Sequence, residues 1–389
     1  MNLAKLEQFA KQGWNLSTVG DAAAIRNNLR LPISEEERLK IPGDYPYFGP
    51  TGVLAHINEY RIEGEHVLIG EDGDHFLKFW DKPMTLLVSG RYNVNNHAHV
   101  MAGTEKCETQ WLYYFYMHAD LTPFLTRQGV GRFKLTKEAL SKTPLLLPPL
   151  PEQRKIADIL TTWDEALTKL DALIEAQERR KKALMQQLLT GRRRLKGFSQ
   201  PWTTAKLGAL FNERVEQGRG DLPLLSITAD RGIVPREEVA KRDSSSEDKS
   251  KYLRIAPGDI GYNTMRMWQG VSALSTLEGI VSPAYTICTP TKRIDGRFAS
   301  HFFKLRHTVH LFHRYSQGLV DDTLNLKFPS FSVIEVTIPS DLDEQRQIAT
   351  ILDTADQELA LLRAQRAAVD QQKRGLMQRL LTGQVRVRL

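Results

Sequence analysis

This 389-residue sequence predicts an α+β fold built twice: two globular α+β domains separated by two long antiparallel coiled-coil helices, in a pseudo-two-fold internal repeat. Three observations carry that expectation. Residues 152–195 and 344–387 match at 22 of 44 positions, without a gap, at a constant offset of 192. Each of these stretches follows a mixed segment with a shared skeleton. Trp14-x4-Val19-Gly20 is answered by Trp202-x4-Leu207-Gly208, and Asn96-His97-Ala98-His99 falls beside Ser282-Pro283-Ala284-Tyr285. Within the repeated stretches apolar residues recur in steps of 4 and 3, the spacing of a heptad seam. A repeat of this length marks two similar structural units on one chain.

The expected division is residues 1–151 as a first globular domain opened by a short helix at 1–12, 152–196 as a central helical spacer, 197–340 as a second globular domain, and 341–389 as a C-terminal helical spacer. Within the domains, short β-rich runs (His66–Ile69, Thr85–Val88, Ile280–Val281, Tyr285–Ile287) are separated by Gly, Pro, Asn and Asp turns. One helical segment follows in each, Thr109–Leu125 and Phe298–Tyr315. The aromatics Trp111, Tyr113, Tyr114, Phe115 and Tyr116 suit a base-stacking platform or a buried helix face, and the burial habit of such residues favours the core.

The first seam runs through Ile156, Leu160, Trp163, Leu167, Leu170, Ile174, Leu184 and Leu188, with Gln177 and Lys181 as polar interruptions. The second runs through Ile348, Leu352, Leu359, Leu362, Val369, Leu376 and Leu380, with Ala355, Arg366 and Lys373 between them. Polar seam residues fix register at some cost in stability. Pro148-Pro149-Leu150-Pro151 suits the opening turn of the first helix. Asp341-x-x-Glu344 reads as a capping box for the second. Gly191 and Gly383 read as left-handed C-terminal caps. About 39 residues at a rise of ~1.5 Å make a rod of about 58 Å. A second apolar edge (Ile159, Leu173, Met185, Leu189, Ile351, Leu361) widens the stripe and is expected to dock helices of another protein, unless the chain's own domains cover it. Both helices turn basic near their ends: Arg179 to Lys196 holds eight Lys or Arg and no acid. Two uses fit this, complementing the helix dipole and contacting phosphates.

Composition narrows the function. Apolar residues are 41% and charged residues 25%, ordinary for a globular chain. No run approaches the ~18 apolar residues of a membrane span, so no membrane partner and a cytoplasmic location are expected. Cys107 and Cys288 stand far apart and outside any metal spacing, which argues against a disulfide framework or structural zinc. A net charge of +7 permits an acidic partner. Phosphate-loop, dinucleotide, hydrolase-elbow and zinc-protease motifs are missing. Gly129-Val-Gly131 fits none of them, and His97-x-His99 lacks a third ligand. The expectation is a chain with no catalytic residue, no metal and no cofactor of its own.

The arrangement resembles the specificity subunit of type I restriction–modification systems over essentially its whole length. The matching residues are Trp14…Gly20-Asp21, Tyr45-Pro-Tyr-Phe-Gly49-x-Thr51-Gly52, Ile69-Gly-Glu-Asp-Gly73, Val94-Asn-Asn-His97 and Pro148-Pro-Leu-x-Glu152-Gln153. In the second half they are Pro257-Gly-Asp-Ile-x-Tyr-Asn263, Gly279-Ile-Val-Ser-Pro-Ala-Tyr285 and Glu344-Gln345-x-x-Ile348-Ala349. Ser340-Asp341-Leu342-Asp343 departs from the Pro-Pro-Leu of the first half. The resemblance implies two target-recognition domains, each binding half of a split, asymmetric sequence in double-stranded DNA. It also implies helices that dock two methyltransferase (modification) subunits, and through them restriction/translocase subunits. S-adenosylmethionine, ATP and Mg would belong to those partners in phage defence. The alternative is a non-catalytic coiled-coil adaptor with two protein-binding end domains; an enzyme with an unrecognised active site is a third.

Base readout needs Arg, Lys, Asn, Gln, Ser or Thr on loops that reach groove edges. The candidates are Tyr47, Thr51, Lys78, Arg91, Asn95, Asn96, Arg132 and Lys134 in the first domain. In the second they are Ser226, Thr228, Arg231, Asn263, Arg266, Ser282, Tyr285, Asn325 and Lys327.

Overall fold

The computed structural model describes residues 3, 6, 13–127, 133–239, 248–320 and 323–388. The expected helix at 1–12 lies almost wholly outside the described residues. The chain divides into two compact units, Met1–Asp171 with Ala364–Leu389, and Ala172–Arg363. Each unit therefore holds one globular domain together with part of each long helix.

In the first unit, Asn15–Thr18 pairs antiparallel with Pro144–Leu147, so the strand that opens the domain lies beside the strand that leads into the first long helix. A four-stranded antiparallel sheet follows in the order Ala24–Ile25, Ala98–Ala102, His66–Gly70, Thr85–Val88. His66–Gly70 is buried at all five positions, which is why its centre, Val67 to Ile69, is a continuous apolar run rather than an alternation. A second sheet holds the hairpin Pro42–Gly49/Gly52–Ile57, with Arg91–Val94 parallel to its first strand and Ile62–Glu63 at the edge. The helix α1 (Thr109–Met117) buries Trp111, Tyr114, Phe115 and Tyr116 in the core, and the aromatic cluster is structural. It stops at His118 rather than at Leu125, because Asp120 turns the chain by accepting from Thr122 N–H at 3.1 Å.

The second unit repeats the plan. Thr203–Lys206 pairs with Glu335–Ile338. The order Phe211–Glu213, Tyr285–Pro290, Ile260–Asn263, Ser272–Leu274 reproduces the first sheet strand for strand. The hairpin Leu225–Thr228/Gly232–Pro235 and the pair Leu253–Ile255/Gly279–Val281 stand where the second sheet stood, joined by a parallel bridge from Leu224 to Ile280. The helical segment expected at Phe298–Tyr315 is two helices, α3 (Gly296–Phe302) and α4 (Arg306–Tyr315), broken at Phe303–Leu305. Phe303 packs edge-on against Phe312 at 5.3 Å, so the break folds one helix back onto the same core.

The two long helices, α2 (Leu150–Leu188) and α5 (Leu342–Leu381), run antiparallel. In the first unit Lys373 pairs with Asp164, and Arg366 with Asp171 at 2.9 Å. In the second, Gln177 bonds Glu358, Lys181 pairs with Asp356, and Arg363 pairs with Glu178 at 2.5 Å. Residue numbers rise along one helix as they fall along the other. Every seam residue is buried or partly buried: Ile156, Leu160, Trp163, Leu167, Leu170, Ile174, Leu184 and Leu188 on α2, and Ile348, Leu352, Leu359, Leu362, Val369, Leu376 and Leu380 on α5. The four polar seam residues Gln177, Lys181, Arg366 and Lys373 each meet a carboxylate of the opposite helix. A heptad slip would strand them, so these pairs specify register as expected. Lys373 is 5% exposed and also lies 5.7 Å from the Tyr114 ring. Replacing Asp164 with Leu leaves that ammonium without its counter-charge, and about 3 kcal/mol of stability should be lost from the first unit. Urea unfolding of D164L with an unchanged midpoint would refute this.

The second apolar edge comes out differently from expectation. Ile159 packs onto the first domain's core, and Met185, Leu189 and Ile351 pack onto the second's. The chain's own domains cover these four, and only Leu173 (50%) and Leu361 (71%) remain exposed. The capping box is also corrected. Asp341 accepts from Asp343 N–H at 2.8 Å, but the Glu344 carboxylate is held by Arg194 instead of reaching back to the cap. Gly191 and Gly383 do end their helices with φ of +69° and +72°. A Cβ on Gly191 would also sit 3.3 Å from the Trp202 ring.

Candidate nucleic-acid interface

The repeated Glu-Gln that opens each long helix locks domain to helix. Gln153 accepts from Glu108 N–H at 2.8 Å and donates to Pro148 O at 2.8 Å and Lys106 O at 3.0 Å. Gln345 does the same with Asp295 N–H, Pro339 O and Arg293 O at 2.8, 2.8 and 3.2 Å. The Glu beside each Gln is buried and receives a two-pronged Arg from beyond the end of the other long helix. Arg386 reaches Glu152 at 2.6 and 2.7 Å, and Arg194 reaches Glu344 at 2.7 and 2.8 Å. Glu152 hydrogen bonding raises the Arg386 pKa further. The tryptophan that opens each domain lies against the same guanidinium, Trp14 at 5.6 Å and Trp202 at 5.8 Å. Trp14 Nε1–H also donates to Glu152 at 3.2 Å. Several of the basic residues near the helix ends are therefore engaged internally, and they position the domains rather than offer free charge.

In the second domain the structure brings seven of the nine candidates to one place. Ser226, Thr228, Arg231, Asn263, Arg266, Ser282 and Tyr285 line a single cleft of about 800 Å³. The hairpin Leu225–Thr228/Gly232–Pro235 supplies one wall, with Thr228 Oγ1 donating to Gly232 O at 2.9 Å and accepting from Arg231 N–H at 3.0 Å to tighten the turn. The ends of Ile260–Asn263 and the loop before Tyr285–Pro290 supply the other. There Asn263 Oδ1 accepts from Met265 N–H at 3.0 Å, and Ser282 Oγ from Ala284 N–H at 3.3 Å. Arg231 is tied to Glu238 at 3.8 Å. Asn325 and Lys327 do not line the cleft. Asn325 Nδ2 donates to Gln317 O at 3.0 Å and holds a turn, and Lys327 precedes the short helix Phe328–Ser332. Sequence reasoning missed Arg236, Tyr252 and Gln269, which also line the cleft. Gln269 sits between Trp268 and Gly270 in a single helical turn, and its polar side chain next to a positive-φ glycine is the signal that was available.

The first domain gathers fewer. Asn95 and Asn96 lie in the loop between Arg91–Val94 and Ala98–Ala102, the counterpart of the Ser282 loop. Asn95 accepts from His97 N–H at 2.9 Å, and the Asn96 carbonyl accepts from Arg30 at 2.9 Å. Lys134 lies close by, because Glu71 takes both Arg30 at 2.6 Å and Lys134 at 3.2 Å. Burial pushes the Glu71 carboxyl up, but the bonds from Arg30 and Lys134 outweigh it and hold it below the ordinary range. Thr51 is exposed at the turn joining Pro42–Gly49 to Gly52–Ile57, the counterpart of the hairpin that carries Arg231. Three candidates stand apart. Tyr47 is fully buried and its hydroxyl donates to Leu31 O at 2.6 Å, so it is a core residue and not a base contact. Arg91 opens its strand at the end away from Asn95 and pairs with Glu63 at 3.2 Å. Lys78 is exposed in the single turn His75–Lys78. Arg132 lies outside the described residues. His97 turns to Asp72 at 2.9 Å, whereas His99 is buried between Asn27 at 2.8 Å and Leu135 O at 2.7 Å, so the two do not share a ligand position. Cys107 and Cys288 are buried, unpaired thiols. Among the described residues no helix is long and apolar enough to cross a membrane.

The chain is similar to known proteins in sequence and in fold. The family described as type I restriction modification DNA specificity domain matches residues 11–178. A putative type I restriction enzyme specificity subunit of Haemophilus influenzae is 35% identical over 168 residues, 43% of this chain and 40% of that protein. The MjaVIII type I restriction enzyme specificity subunit of Methanocaldococcus jannaschii is 23% identical across 97% of this chain and 94% of its own length. The crystal structure of a type I restriction–modification S subunit from M. genitalium superposes with a TM-score of 0.61 at 15% identity, covering 94% of this chain and 96% of that one, and shares the fold. The type I specificity domain is thus matched over residues 11–178, and the chain is similar over nearly its whole length to a type I restriction enzyme specificity subunit.

Proposed function

We propose that the chain selects the DNA sequence on which a type I restriction–modification complex acts, with each domain reading one half of a split, asymmetric site in duplex DNA. The observation that carries this is the cleft of the second domain. Seven polar and aromatic residues chosen from sequence for groove contact converge on it, from a hairpin and a loop that the first domain repeats with different side chains. Matched scaffolds with unlike loops suit a machine that reads two different words. The chain supplies recognition and no chemistry. Two methyltransferase subunits using S-adenosylmethionine, and restriction subunits using ATP and Mg, would supply the reaction. With four of the six second-edge residues covered, Leu173 and Leu361 are what that edge offers such partners.

The test is modular exchange. Substituting residues 14–150 by the corresponding domain of another specificity subunit, and assembling the chain with its methyltransferase, should change one half of the methylated sequence and leave the other. A change in both halves, or in neither, would sink the assignment.

A further inference from the structure

We propose that the outward row Arg306, His307, His310, His313 and Arg314 on α4, together with Arg192 beyond the end of α2, contacts the phosphate backbone of duplex DNA beside the base-reading cleft. The inference rests on the DNA-binding reading above and adds a second, sequence-independent surface to it. All five residues of the row are exposed, at spacings of 1, 4, 7 and 8 from Arg306 that place them on one helical face. Thr308 and Phe312 are buried on the other face. The row is composed entirely of Arg and His.

Its charge is uncommitted. The side chains of Arg192, Arg306, His307, His310 and Arg314 make no hydrogen bond or ion pair with any described residue. Other arginines of the second unit are paired: Arg219 with Asp221 at 2.9 Å, Arg254 with Glu278 at 2.7 Å, and Arg346 with Asp343 at 2.8 Å. Arg192, Arg306, His307 and His310 also border one groove of about 430 Å³, whose remaining lining of Gln186, Thr190 and Leu305 contains no carboxylate. The row adjoins the cleft as well. The turn Met267–Gln269 packs on α4 with Trp268 edge-on to His313 at 5.8 Å, while Gln269 and the preceding Arg266 line the cleft. From Arg306 to Arg314 the row extends about 12 Å at ~1.5 Å per residue. That is comparable to the width of the B-form major groove, ~12 Å, so the row can span several phosphates. In the corresponding stretch after α1, the described residues of the first domain hold the short turn Thr122–Phe124 and the strand Thr126–Arg127, and no second helix. Among the described residues, this surface belongs to the second domain alone.

The experiment compares the full wild-type chain, assembled with its methyltransferase, with the triple variant Arg192→Gln, Arg306→Gln, Arg314→Gln assembled in the same way, on a pool of random-sequence duplexes over a range of salt. Neutralised phosphates set the slope of log affinity against log salt at about 0.9 per contact. The slope should become shallower by up to about 2.7, while the base preferences selected from the pool stay as in the wild type. The control Arg219→Gln, a partly exposed arginine already paired with Asp221, should leave the slope unchanged. An unaltered slope in the triple variant, with selection intact, overturns the phosphate row and leaves the recognition role standing. Altered base preferences would also overturn it, by assigning these residues to sequence readout. A wild-type chain that binds no duplex removes both readings.

Discussion

Replacing Arg194 with Ala is expected to cost the second unit about 3–5 kcal/mol, the range for breaking a buried charge pair by removing one partner. Glu344 is 1% exposed and Arg194 is its two-pronged partner, so the substitution leaves a carboxylate in the interior with no counter-charge. Arg194→Lys keeps the charge but loses the planar fork and should recover only part of the loss. The mirror change, Arg386→Ala, strips Glu152 in the same way and should weaken the first unit. Trp14 still donates to Glu152 there, so the penalty should be the smaller of the two. Hydrogen exchange separates the cases. Protection of Ile260–Asn263 should fall in R194A, and that of His66–Gly70 in R386A. If protection in both units fell equally for either variant, or stayed within about 0.5 kcal/mol of the wild type, the locks would not be what holds domain to helix.

The second large effect concerns readout. Arg266 lines the cleft with Asn263 and Gln269, and a bidentate side-chain contact to a base edge is worth about 1–3 kcal/mol. Arg266→Ala should therefore weaken binding of the preferred site by about 5- to 150-fold and relax the choice of base at one or two adjacent positions. All of the relaxation should fall within the half read by the second domain. Selection from a degenerate pool measures it directly. Relaxed bases in the other half would place the cleft outside the recognition surface.

The long helices, their seam and their pairing direction were legible in the sequence, because heptad spacing is a local signal and a duplicated one is doubly legible. The buried aromatics of α1 were legible from residue type, because large aromatic side chains are more often packed inside than exposed. The Arg194–Glu344 and Arg386–Glu152 locks were not, since they join residues 150 and 234 positions apart and no periodic pattern announces them. The fate of the second apolar edge was likewise hidden. Ile159, Met185, Leu189 and Ile351 have the composition of a docking face, and only the tertiary arrangement shows that the chain covers them itself. The candidates on the hairpin and loop tips of the second domain were chosen by residue type, and the fold brings them to one cleft. Tyr47 failed because its hydroxyl is satisfied inside the core, which a tyrosine's amphipathic character permits as readily as exposure.

The first unit takes in Ala364–Leu389 as well as its own leading segment, and Met377, Leu380 and Leu381 lie in the core that holds Trp14, Trp111 and Ile156. During synthesis, then, the domain that leaves the ribosome first is the last to be completed. Its helix presents Ile156 and Leu160 without their final partners while roughly 190 further residues are made, an interval of about 10–40 s at 5–20 residues per second. Across that window the nascent chain carries an open apolar face, and a truncated message would leave it open for good.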